Sequence, residues 1–185
     1  MPHGNRRERP IIRAALFTAL SVALGFLLAA IPNVELMTLT VFMSGVFCGV
    51  RLGGIVGTLS ILFHSILNPL GPAPPPLLVA QVAGFCIIGV AGGLAGPRIS
   101  PGRSRGIIGS AVLGFVLTLL YDVLTTLATA FIALGAGAGA EGVGKIFVAG
   151  AGFVAWHVGV NTAIFAVAVA PLMKAAHAWH GGEPA

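Results

Sequence analysis

A chain of 185 residues that is 57% hydrophobic and only 8% charged, with a mean hydropathy of +1.01, cannot cover a core with polar surface. A soluble domain carries roughly 25% charged residues, so the composition excludes one and points to an integral membrane protein. The alternating ten-residue patterns of a transmembrane barrel are absent, and the net charge of +5 lies between apolar runs, where it reads as a topology signal and not as a nucleic-acid patch.

Residues 1–10 are polar and basic, and an apolar run follows over 11–31. A signal peptide also begins with a positive leader, but its apolar core is about 7–15 residues and this run is about 20, so a retained first helix is expected. Pro32-Asn33-Val34-Glu35 breaks that helix. A short second helix is expected over 36–50, a turn at Arg51 with Gly53-Gly54, and a third helix over 55–67. Residues 68–76 hold five prolines and no charge, a stiff loop. A fourth helix is expected over 77–95, a basic loop over 97–105, and a fifth helix over 106–134. Residues 135–144 read as a Gly/Ala-rich link, a sixth helix follows over 146–173, and the tail 175–185 carries His177 and His180.

The fold expected is therefore all-α: one domain over 1–185, an integral bundle of six transmembrane helices. The positive-inside rule puts both termini, with residues 1–10 and 175–185, in the cytoplasm. Arg6, Arg7, Arg9, Arg13, Arg51, Arg98, Arg103, Arg105 and Lys174 then share that side, and only Lys145 lies outside. The protein is expected in the inner or plasma membrane as a multi-pass chain.

Asp122 is the one charge between Gly106 and Ala140. A carboxylate in a membrane-length apolar helix costs several kcal/mol unless it has a partner or lines a polar cavity. Thr118, Thr125, Thr126 and Thr129 share its side of the helix at helical spacing. The topology gathers further polar groups towards the outside. Asn33 and Glu35 lie in the first outer loop, and Ser60, His64 and Asn68 stack along the third helix. Gln81 lies early in the fourth helix, and His157 and Asn161 are four apart in the sixth. The inner half is mostly Ala, Gly, Leu and Val. These placements describe a cup open to the outside, with a buried structural acid as the plainer reading of Asp122.

Other motifs carry less. Gly139 to Lys145 echoes a phosphate-binding loop, but Ile146 stands where the hydroxyl residue belongs and no strand precedes it. His157, Asp122 and His64 lack a metal-site spacing, so no metal and no cofactor are expected. Cys48 and Cys86 read as small packing residues. Ala15, Ala19 and Ala23 form an AxxxAxxxA ridge on the first helix, a flat groove where another helix can press closely.

The ridge, Pro32-Asn33-Val34-Glu35-Leu36, Asn68-Pro69-Leu70-Gly71 and Tyr121-Asp122-Val123-Leu124-Thr125 together resemble the substrate-binding (S) components of energy-coupling factor vitamin transporters. That resemblance implies a non-enzymatic subunit that binds a vitamin or precursor outside and topples in the membrane to release it. It also implies a transmembrane T component docked on the Ala15, Ala19 and Ala23 ridge, and two ATPase subunits. Ligand-binding residues would be Asn33, Glu35, His64, Asn68, Gln81, Asp122, Thr125, His157 and Asn161. The rival readings are a small intramembrane enzyme using Asp122 and His157 as acid and base, and a stand-alone carrier.

Overall fold

The computed structural model describes residues 8–29, 31, 34–100 and 104–181. Six α-helices follow one another: α1 Glu8–Leu27, α2 Met37–Cys48, α3 Val50–Ile66, α4 Pro75–Ala95, α5 Ser104–Gly135 and α6 Ala140–Gly181. α1, α4, α5 and α6 are long and apolar enough to cross a membrane, whereas α2 and α3 are shorter apolar helices. The protein is thus a multi-pass membrane protein built entirely of helices among the described residues.

The centre of the bundle is α2, whose residues from Met37 to Gly45 are all buried. It packs against α1, α3, α4 and α6. A helix this short lacks the length to span on its own; it is held by neighbours on every side. The turn out of α2 differs from the one expected. Gly49, with φ of 86°, reverses the chain, and Arg51, Gly53 and Gly54 already belong to α3. Left-handed backbone suits glycine at that corner.

Gly53 instead serves contact between helices. A methyl group on Gly45, Gly53 or Gly89 would collide with facing backbone of α2, α3 or α4, and one on Gly57 would meet the Phe85 carbonyl. Small residues that let backbones touch replace the hydrophobic drive that membrane helices lack. Beside this seam, the Phe42 and Phe165 rings lie 5.1 Å apart and join α2 to α6, with Val41, Val56 and Val169 fully buried around them.

α5 and α6 form a long antiparallel pair turned at 136–139, where Gly137 has φ of 89°. The link is shorter than expected because Glu141 and Lys145 already stand in the first turns of α6. There they form an exposed ion pair of 2.7 Å four residues apart, as helical geometry favours, so the Gly139–Lys145 segment makes no phosphate loop. The α1–α2 and α3–α4 connections lie at one end of the bundle. By alternation of the helices, Arg13, Arg51, Arg98, Arg105 and Lys174 fall towards the other end.

Because the seam is backbone on backbone, Gly89→Val is expected to cost about 3 kcal/mol or more by forced overpacking. Gly109→Ala, where an added methyl meets open space, should change little. Unfolding of the two variants in detergent, followed by circular dichroism, measures the difference.

Candidate functional site

Between the ends of α1, α2, α3 and α4 and the middles of α5 and α6 lies a cavity of about 560 Å³. That is within the volume range of small-molecule sites, about 300–1,000 Å³. Its polar lining comes from Glu35, His64, Asn68, Gln81, Tyr121, Asp122 and His157, and its apolar wall from residues such as Phe26, Met37, Ile61 and Phe85.

Asp122 does not face lipid. Its Oδ1 lies 2.8 Å from His157 Nδ1, and both side chains are about nine-tenths buried. Nδ1 donates to that carboxylate, and the ring then turns Nε2 towards Glu35, whose Oε1 is 3.7 Å away. One imidazole is therefore bracketed by two carboxylates from different parts of the chain. Asn161, fully buried, lies behind this group and points its Nδ2 at Glu35 Oε1 from 3.5 Å.

Glu35 has a second duty. It accepts a bond from the Thr38 amide at 2.9 Å and another from the Thr38 hydroxyl, so it closes the start of α2. Negative charge is favoured there by the unpaired amides and the helix dipole. Burial works against its ionisation, but bonds from His157 and Thr38 outweigh burial and hold its pKa below the ordinary 4.5.

The aromatic members follow from close packing. Phe26 stacks on His64 at 4.7 Å between ring centres. Tyr121 meets Phe85 edge-on at 5.3 Å and His157 at 6.3 Å. Its ring lies against Gly84, where a side chain would strike it. At the rim, Asn68 Oδ1 accepts from the Leu70 amide at 2.9 Å, and Ser65 Oγ accepts from the Ala73 amide at 3.1 Å. These bonds pin the proline-rich loop over the end of α3.

Of the residues singled out in the sequence, Glu35, His64, Asn68, Gln81, Asp122 and His157 meet at this cavity, with Asn161 directly behind it. Thr125 does not line it; its hydroxyl bonds back to Tyr121 and Asp122 carbonyls at 3.0 and 3.1 Å. Thr129 likewise bonds the Thr125 carbonyl. Asn33 lies outside the described residues. Tyr121, Phe26 and Phe85 lacked a distinguishing mark in the sequence, since aromatic residues in apolar helices face lipid as readily; exposed Trp156 and buried Phe165 show both outcomes. No group of three or more His, Cys, Asp and Glu side chains among the described residues is arranged to hold a metal ion.

Elsewhere, the exposed Ala15, Ala19 and Ala23 border a shallow apolar groove between α1 and α3, with Val22, Leu59, Phe63 and Leu67 along it.

A family model described as "ECF transporter, substrate-specific component" matches residues 9–176. No curated protein and no solved structure matches the chain.

Two outcomes follow from this geometry. Asp122→Ala strips a buried imidazole of its partner and should cost about 3–5 kcal/mol, whereas Thr125→Val, which loses only bonds within its helix, should stay within about 1 kcal/mol; denaturant unfolding in detergent compares them. For Glu35, a folded pKa below the unfolded one means its stabilisation is complete above the ordinary 4.5 and is lost as pH falls through the folded value. The stability gap between the parent and Glu35→Gln should therefore narrow as the pH falls below 4.5. A gap constant with pH would exclude the Glu35 charge as its source.

Proposed function

Because the chain belongs to the family of ECF transporter substrate-specific components, we propose that it is the membrane-embedded capture subunit of an importer for a vitamin or related small molecule. The observation that carries this reading is the cavity itself. Polar side chains from four helices and two connections converge on one hollow inside an otherwise apolar bundle. Burying polar groups there is costly unless each finds a partner, and a ligand supplies partners that the protein alone does not.

The cavity end faces the outside of the cell, and the arginine-rich end the cytoplasm, in keeping with the positive-inside rule. Glu35 and the loop from Asn68 form the mouth, and Asp122, His157 and Gln81 hold the ligand. The site is of binding type: the imidazole and its two carboxylates fix one another, with no nucleophile placed among them. The apolar groove along Ala15, Ala19 and Ala23 seats a helix of a transmembrane coupling component, which brings the ATPases. α1 and α3 form that groove and also contribute Phe26 and His64 to the cavity, so a partner moving these two helices reaches the ligand directly.

Native mass spectrometry of the purified chain is expected to find a retained small molecule, lost in Val34→Trp, which fills the mouth. In cells carrying the whole transporter, Ala19→Leu should abolish uptake while ligand binding to the isolated subunit is unchanged. Equal loss of both would remove the groove as an interface. Absence of ATPase subunits from a mild-detergent pull-down would count against coupling.

A further inference from the structure

The charges around the cavity are lopsided. Glu35 and Asp122 line it, and among the described residues no lysine or arginine does. With both carboxylates ionised, a protonated His157 cancels one of them, and a protonated His64 as well brings the lining only to neutral. A carboxylate or phosphate ligand would thus enter a low-dielectric site with no fixed cation to meet it, and like charges brought together in such a site cost several kcal/mol.

The unpaired groups point the same way. Asp122 Oδ2 and Gln81 Oε1 are buried and have no hydrogen-bond partner. Both are acceptors set just beneath the surface of residues that line the cavity, within a side-chain rotation of a ligand there. Asp122 spends one oxygen on His157 and keeps the other free. A buried acceptor left unpaired costs about 1–3 kcal/mol, which a ligand N–H would recover. The walls add ring surface from Phe26, Phe85 and Tyr121, and a ring face attracts cations.

We propose that the cavity selects an aromatic organic cation whose N–H groups donate to Asp122 and Gln81, and rejects anionic ligands of the same size. This rests on the reading of the cavity as the capture site and adds the charge of what is captured. Acids, acceptors and ring faces are all complementary to one ligand type, and the neutral donors and imidazoles of the lining do not exceed the charge of the two carboxylates.

Benzamidinium, benzamide and benzoate share a ring and a near-identical outline and differ in charge, so they serve as probes of the full chain in detergent by isothermal titration and saturation-transfer NMR. Benzamidinium should bind roughly tenfold more tightly than benzamide, with benzoate weaker again. Asp122→Asn should shrink the preference for benzamidinium over benzamide to about twofold or less, as removal of the facing charge requires. Glu35→Gln carries the same test should the first variant fail to fold, and a preference unchanged in a folded variant would overturn the assignment. Benzamide or benzoate binding at least as tightly as benzamidinium, and blocked by Val34→Trp, would overturn the charge selection while leaving the cavity as a ligand site. Binding of none of the three would overturn both.

Discussion

Asp122 and His157 hold each other inside a bundle that offers charge almost nothing else. In a medium of low dielectric, a lone carboxylate at that depth would be protonated or would pull its helix towards water. The imidazole from α6 gives it a hydrogen-bond partner and ties the long α5–α6 pair together at mid-length. Glu35 enters the same group from the α1–α2 connection, so three separate segments share one polar contact. The register of α5 against α6 and the entry of α2 into the bundle are both constrained by it.

That polar group needs a stiff frame, and glycine supplies it. Where Gly45, Gly53, Gly57 and Gly89 bring α2, α3 and α4 into backbone contact, there is no side chain to rearrange and little freedom for the helices to slide. The short α2 is buried from Met37 to Gly45 as a result, and its start, closed by Glu35, becomes part of the cavity wall. Packing and binding meet in one residue: Glu35 caps a helix and faces His157 at once.

The cavity and the groove differ in kind. One gathers acids, amides and rings inside the bundle; the other is a lining of alanine, valine, leucine and phenylalanine, with Thr18 as its one polar member, on its exterior. They are nonetheless two sides of the same pair of helices. On α1, Ala23 faces the groove while Gly25 lies against Met37 and His64. On α3, Phe63 lies on the groove and its neighbour His64 in the cavity. Helical periodicity alone divides these duties between adjacent residues.

Much of this was legible in the linear chain. Hydropathy set the class, the number of helices and, through the arginines, the grouping of their ends, because membrane insertion answers to transfer free energy summed over a segment. An isolated acid such as Asp122 announced itself by its cost. What the chain alone did not determine is who meets whom. The pairing of Asp122 with His157 and Glu35 spans distant segments. So does the use of Gly53 for contact instead of turning, and so does the inward face of Tyr121 beside the outward face of Trp156. Each depends on how helices rotate about their own axes, and in an apolar solvent that rotation is decided by close packing and by the partners available to buried polar atoms, quantities that exist only once the bundle has assembled.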